Sequence, residues 1–441
     1  MEVLQCRGPV VPCQVLTPGY ARPRAARIVP RSQLNKYSTP HSGYHFDGTS
    51  RRFFEGWYWR VTLPGDAKSF ALIYSIEDPK GDGTFSGVGA QVMGPDDGYL
   101  LQYSNNVSLF WADSTQLALG ACFQGSRRGA QGMLPQDKFT SLVKQGFQAS
   151  SRWHQGNIIA SETGASGDLM STVDSCRWEF SIEPKSGWGK PSGRQRSTAG
   201  WLAALPIFEP HWQVLMSHGE ATGWIEWGND RYEFECAPAY AEKNWGGGFP
   251  NRWAWIQCNS FLDSPGTSVT AVGAERGLLQ VPGLKENVGL IGVHHQGEFY
   301  ELNIKDSRVQ WTVSPWGSWR LEGSSSEFEA IIEAQCAESD GTPLRAPTAS
   351  DGLAPFCRDS FAGNVTMQLW RAGDRARGSP PLIDVVSNGK SGAVEVGGGP
   401  WWSTWSVEAK MTEPVKQLLQ LPLDVEYLAD MLPRDIRPPG L

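Results

Sequence analysis

The chain has 441 residues and a net charge of -7, which gives no electrostatic footprint for a phosphate backbone, so we expect no nucleic-acid partner. Hydrophobic residues make up 40% and charged residues 19%, and no apolar run approaches the roughly 20 residues that a membrane-spanning helix needs. The 20 tryptophans and 50 glycines favour many short strands joined by glycine turns.

The first 36 residues form a separate compositional segment, with six basic residues against a single acid, Glu2. A basic, acid-poor composition is typical of an organelle transit peptide, although this segment is short of serine. We assign residues 1–38 to such a peptide. A solvated basic tail is the alternative interpretation.

Strand patterns begin after Tyr37. Between Trp57 and Leu63 the odd positions are apolar and the even ones mostly polar, which indicates a β-strand. Helical patterns are scarce, and the clearest follows Thr412, which can cap a helix beginning near Pro414. We predict that this helix packs against the protein, with attachment to a membrane surface as the alternative.

A weak internal sequence similarity suggests two similar halves. Trp57-Tyr-Trp59 and Trp253-Ala-Trp255 are each followed by further tryptophan motifs in the same order. We therefore predict domains over 39–235 and 236–441. Since ligand pockets prefer the seams between domains, we expect a pocket near the glycine run that follows Trp245.

Metal, phosphate and nucleophile motifs are missing from the sequence. The close histidines are His41 with His45, and His294 with His295, and adjacent histidines in a strand point to opposite faces. The glycine runs lack the lysine and helix context of a phosphate cradle. We expect neither a metal ion nor a cofactor.

Carboxylates beside aromatic residues remain as candidates for chemistry. Glu242 lies outside any alternating strand pattern, and neighbours such as Tyr240 and Trp245 are placed to shield it from water. Desolvation raises a carboxyl pKa and keeps the group a proton donor, as a general acid requires. The adjacent Lys243 would lower that pKa, although neighbouring side chains of an extended chain diverge. The alternative is that both are exposed loop charges.

A second carboxylate, Glu226, ranks lower. A two-residue turn of Asn229 and Asp230 would place it opposite Glu233 on a solvated face. A three-residue turn would bury it beside Trp224, but this register separates polar and apolar residues less well.

Long motifs that follow one another from about Thr39 to Leu441 identify a family. They include Phe53-Phe-Glu-Gly-Trp-Tyr58, Phe208-Glu-Pro-His-Trp212, Glu242-Lys-Asn-Trp-Gly-Gly-Gly-Phe-Pro250 and Glu395-Val-Gly-Gly-Gly-Pro-Trp401. By these motifs the sequence resembles the tocopherol cyclase family of plants and algae.

The resemblance implies a chloroplast enzyme of vitamin E synthesis, peripherally associated with plastoglobule or thylakoid lipid. Its substrates would be prenylated benzoquinols, from which it closes the chromanol ring of tocopherols, tocotrienols or plastochromanol. The resemblance also implies an all-β fold of two lipocalin-like antiparallel β-barrels with few short helices, in agreement with the strand pattern.

The implied reaction begins when an acid protonates the alkene nearest the ring, after which the phenol oxygen attacks the tertiary cation while water is excluded. We assign Glu242 as the proton donor and His211 as the group that positions or deprotonates the phenol. Asp47 and Glu55 are reserve acids. The expected substrate-binding residues are Trp57, Tyr58, Trp212, Asn244 and Trp245, whose tryptophans are candidate walls around the cation.

Two other classes stay open at this point. A lipocalin-like carrier would bind the same prenyl lipids without chemistry. A carbohydrate-active protein would use tryptophan platforms and paired acids on glycans.

Overall fold

The computed structural model describes residues 39–63, 65, 68–204, 209–277, 285–399, 403–421, 423, 428, 431, 432 and 440. The predicted transit segment 1–38 lies outside the described residues.

The first part of the chain folds into an antiparallel sheet of 11 strands, ordered β4-β3-β2-β1-β11-β10-β9-β8-β7-β6-β5. The sheet curls enough that the amide of Tyr103 in β4 donates to the carbonyl of Ser161, which follows β8, at 2.9 Å. The strands are β1 (Phe54–Thr62), β2 (Ser69–Glu77), β3 (Gly87–Met93), β4 (Tyr99–Ser104), β5 (Phe110–Ala112), β6 (Ala118–Gly125), β7 (Val143–Ser150), β8 (Trp153–Ile159), β9 (Ser175–Ser186), β10 (His211–Trp227) and β11 (Asp230–Gly246).

The rest of the chain forms a 12-stranded sheet whose main path is β15-β14-β13-β12-β22-β20-β18-β17-β16-β23, with β19 and β21 paired to β20. The strands are β12 (Arg252–Cys258), β13 (Ser268–Gly277), β14 (Lys285–His295), β15 (Glu298–Asn303), β16 (Arg308–Ser314), β17 (Ser318–Ser324), β18 (Phe328–Gln335), β19 (Thr342–Thr348), β20 (Gly352–Arg371), β21 (Ile383–Val386), β22 (Gly392–Gly397) and β23 (Trp405–Glu408).

Two short α-helices occur among the described residues, α1 (Gln136–Leu142) and α2 (Glu413–Leu419). The predicted all-β architecture with few short helices is confirmed. Helix α2 begins directly after Thr412, as predicted, but the Thr412 side chain makes no capping hydrogen bond. Val415 packs with Met411 against Val288 and Ile304. In the described part of the chain, no helix combines the length and apolar character needed to cross a bilayer.

The passage from one sheet to the other falls between Gly246 and Arg252. Position 236, where we placed the domain boundary, lies inside β11, because β11 continues to pair with β1 as far as Gly246. Each sheet has its own apolar core. A third cluster contains residues of both sheets, among them Tyr240, Trp253 and Trp255, and this cluster forms the seam between them.

The predicted register of the β10–β11 hairpin is wrong, although the predicted faces are right. Ile225 and Trp227 are buried, whereas Glu226 lies opposite Arg231 and not Glu233. The turn consists of Gly228 and Asn229, one position earlier than predicted, so every partner moves by two residues and the alternation of faces is retained.

Candidate active site

A cavity of about 420 Å³ lies at the seam between the two sheets. Its walls include Trp212 of β10, Glu242 and Asn244 of β11, and Trp253 and Trp255 of β12. Apolar residues of β13 and β14 add to the lining. A pocket beside the segment that follows Trp245 was the expectation from sequence, and the structure has one there.

Glu242 is not in a loop but in β11, where it is half-buried and faces the cavity. The hydroxyl of Tyr240 donates a hydrogen bond to its Oε2 at 2.6 Å. Burial raises the pKa of Glu242 to about 7, although hydrogen bonds from Tyr240 and the neighbouring Trp212 act to lower it. The carboxyl therefore keeps a proton in a substantial fraction of molecules near neutral pH.

The neighbouring Lys243 points away from this carboxyl, because adjacent residues of a strand face opposite sides. Its Nζ lies 2.5 Å from Oε1 of Glu55, and both side chains are fully buried. Nζ also donates to the carbonyl of Gly43 at 2.7 Å. Burial raises the pKa of Glu55, and the charge of Lys243 opposes that rise. Glu55 thus belongs to a buried ion pair on the far side of β11 from the cavity.

Trp245 belongs to the same buried cluster as Glu55. His45 stacks on it with ring centroids 3.9 Å apart, and His45 Nδ1 lies 3.3 Å from Glu55 Oε1. His41 Nδ1 lies 3.1 Å from His45 Nε2. Burial lowers the pKa of both histidines well below the usual value, so the cluster holds neutral imidazoles.

His211 connects this cluster to the cavity. It is the first residue of β10 and lines the cavity wall. The centroid of its ring lies 5.0 Å from the ring centroid of Trp245. The structure therefore brings together four residues selected from the sequence, which are Glu242, His211, Trp212 and Asn244.

Four other selected residues, beyond Glu55, do not line the cavity. Trp57 is buried in the core of the first sheet, and Trp245 is buried among the histidines. The ring of Tyr58 packs edge-on against Trp255, with ring centroids 5.7 Å apart, which places Tyr58 behind the cavity wall. Asp47 lies at the surface with 40% of its side chain exposed.

The environment of Asp47 does not suit a proton donor. Slight burial would raise its pKa, but hydrogen bonds from Thr49 and the charge of Arg51 bring it below the usual value. An aromatic setting in sequence therefore did not produce burial at this position.

The sequence interpretation missed a second acid of the cavity, Glu395 in β22. It lines the cavity and accepts a hydrogen bond from Nε1 of Trp253. Burial raises its pKa to about 7. Directly opposite on β20 lies Asp359, which is fully buried. The sequence signal that could have revealed Glu395 is the alternation of apolar Val394 and Val396 on either side of it, which marks a strand ahead of the glycine run.

The fold and the cavity define an all-β protein with carboxyl groups in an aromatic pocket between two sheets. Residues 51–398 match the family described as tocopherol cyclase-like, and the chain belongs to that family. This confirms the resemblance inferred from the motifs.

Two plant relatives match along nearly the whole chain. The protein named "Tocopherol cyclase, chloroplastic" from Zea mays is 44% identical over 427 residues, which cover 93% of this chain and 88% of that protein. The protein named "Probable tocopherol cyclase, chloroplastic" from Oryza sativa subsp. japonica is 42% identical over 418 residues, with 91% and 87% covered.

Solved structures show a distant similarity. CghA matches at 10% identity with a TM-score of 0.45, covering 82% of this chain and 95% of that protein. A putative AttH from Nitrosomonas europaea matches at 12% identity with a TM-score of 0.40, covering 87% of this chain and 99% of that one.

Proposed function

We propose that this protein is a tocopherol cyclase that closes the chromanol ring of tocopherols, tocotrienols or plastochromanol from prenylated benzoquinols. The observation that carries the proposal is a carboxyl whose pKa is raised to about 7 on the wall of an aromatic cavity, in a chain of this family. The cavity of about 420 Å³ has the size of a small-molecule pocket, for which roughly 300–1,000 Å³ is usual.

In the proposed reaction Glu242 gives its proton to the alkene carbon nearer the ring. The positive charge develops on the neighbouring tertiary carbon, the phenol oxygen forms a C–O bond to it, and the phenol O–H bond breaks. Atoms and charge balance without an oxidant or reductant, since the product is an isomer of the substrate. The rings of Trp212, Trp253 and Trp255 line the cavity, where an aromatic face stabilises a cation.

His211 is the proposed partner of the phenol. It shares the cavity with Glu242, and a neutral imidazole can orient a phenolic hydroxyl or take up its proton. Asn244 and Trp212 line the same wall and would help to hold the quinol head. Much of the rate enhancement would come from holding the phenol and the alkene in the geometry of the ring.

Lipid would reach the cavity from the side near α2. Leu421 and Leu423 line the cavity while remaining 45% and 46% exposed, so an apolar tail could lie against them. We propose that this face contacts plastoglobule or thylakoid lipid in the chloroplast. Flotation with lipid vesicles tests this, and equal binding by Leu421→Ser and Leu423→Ser variants would argue against it.

The deciding experiment incubates the purified protein with a reduced prenylquinol and follows chromanol by chromatography. We expect chromanol to form, and Glu242→Gln to reduce kcat at least ~100-fold, the usual contribution of a general acid. Glu226→Gln is the matched control, because Glu226 is a surface glutamate of the same hairpin, paired with Arg177 and Arg231.

Three outcomes would change the proposal. Bound quinol without chromanol would indicate a carrier, and glycan binding in its place a carbohydrate-active protein. Unimpaired turnover by Glu242→Gln would remove this residue as the acid.

A further inference from the structure

The cavity has a second carboxyl, carried by the opposite sheet. Glu242 belongs to β11 of the first sheet and Glu395 to β22 of the second, and both line the same cavity. Each is half-buried. A substrate in the cavity would therefore lie against one carboxyl from each sheet.

Glu395 is held in place by Trp253. The indole Nε1 donates to its carboxyl, and the ring lies over Gly397, the residue paired with Trp253 across the strands. A Cβ on Gly397 would come within 1.9 Å of this ring. The absence of a side chain at this position therefore allows Trp253 to reach Glu395.

The buried Asp359 influences the ionisation of Glu395. It is opposite Glu395 in the β20–β22 pairing, and it is fully buried. Burial and the nearby Glu395 raise the pKa of Asp359 well above the usual value, which favours its protonated form. Glu395 then carries whatever negative charge this pair holds.

The charge of Arg60 acts on Asp359 without forming an ion pair with either carboxyl. In the described ranges, no ion pair reaches Glu395 or Asp359, since the guanidinium of Arg60 is directed to Oε1 of Gln257 at 2.8 Å and to the carbonyl of Ser391 at 2.6 Å. Glu395 accepts a hydrogen bond from the indole N–H of Trp253 and interacts with the thiol of Cys357, and because a carboxylate has about four lone-pair sites it retains acceptors for a substrate proton.

Ring closure needs one protonated group and one deprotonated group. One proton is added to the alkene carbon while another is lost from the phenol oxygen, and these two atoms flank the same tertiary carbon. Two carboxyls in one low-dielectric site disfavour double ionisation, and the charge of Glu242 contributes to raising the pKa of Glu395. The state with one proton on the pair is thus the favoured one near neutral pH.

We propose that Glu395 is the second acid-base residue of this site and takes the phenol proton as Glu242 protonates the alkene. In this step the O–H bonds of Glu242 and of the phenol break, the C–H and C–O bonds form, and the proton from the phenol ends on Glu395. A proton passing from Glu395 to Glu242 resets the pair. His211 then orients the phenol. The inference rests on the cyclase activity proposed above.

The test uses the purified full chain and a reduced prenylquinol. We expect Glu395→Gln to lower kcat at least ~100-fold, while the affinity for a chromanol, followed by quenching of tryptophan fluorescence, changes less than about threefold. Glu395→Asp retains a carboxylate and should recover at least ~10-fold over the glutamine variant. Glu333→Gln is the matched control, since Glu333 lies on the same sheet at the surface, paired with Arg320.

The pH profile separates a chemical role from a structural one. Catalysis needs Glu395 ionised, so the wild-type kcat should fall as the pH drops below its pKa, and this acidic limb should be lost in Glu395→Gln and present in Glu395→Asp. Wild-type rate and profile in Glu395→Gln would overturn the inference, even with Glu242→Gln inactive. If the wild type forms no chromanol, the cyclase proposal itself fails before any variant is compared.

Discussion

Two adjacent residues of β11 show how burial and direction decide the chemistry of a side chain. Glu242 faces the seam, where loss of water raises its pKa to about 7. Lys243 faces the first sheet, where it forms a fully buried ion pair with Glu55. The sequence suggested that Lys243 would lower the pKa of Glu242, and the divergence of neighbouring strand residues removes that effect.

The ion pair itself gives a prediction at the residue scale. Lys243→Met leaves Glu55 buried without its partner, and breaking such a pair costs about 3–5 kcal/mol. We expect that loss in the free energy of unfolding measured by denaturant titration. Lys285→Met is the control, because Lys285 pairs with Glu275 at the surface, where a pair is worth about 0–1 kcal/mol. Equal effects of both variants would contradict this account.

At the scale of elements, alternation in sequence identified the strand β1 but not the end of β11. The alternating residues from Trp57 to Thr62 belong to β1, where the polar Arg60 and Thr62 are buried as well as the apolar side chains. The end of β11 does not alternate, because one face packs in the first sheet and the other in the seam, so Glu242 resembled a loop residue. The glycine run after Glu395 was interpreted as a loop, so strand β22, which contains Glu395, was not predicted.

The pairing of β12 with β22 gives a prediction at this scale. Gly397→Ala should displace the Trp253 ring, because the added Cβ would lie within 1.9 Å of it, and with it the hydrogen bond to Glu395. We expect a loss of about 1–3 kcal/mol in the free energy of unfolding together with a lower kcat. Gly277→Ala is the control, since a Cβ there meets open space. Unchanged stability and turnover in Gly397→Ala would show that Trp253 does not need this glycine.

At the scale of the whole molecule, the cavity depends on both sheets. Glu242 and His211 come from the first sheet, and Trp253, Trp255 and Glu395 from the second. Motifs revealed the family and some of the wall, because those residues lie in short distinctive segments. They did not reveal that Glu395 lies in the same cavity as Glu242, since 153 positions separate the two in sequence and only the packing of the sheets brings them to one cavity.

In the proposed reaction a carboxyl in this cavity protonates the substrate alkene. The most direct measurement runs the wild-type reaction in D₂O and locates the label in the chromanol by mass spectrometry and NMR. We expect one deuterium on the ring CH₂ next to the quaternary carbon, since the carboxyl proton exchanges with solvent. Chromanol without deuterium at that carbon would contradict the proposed protonation.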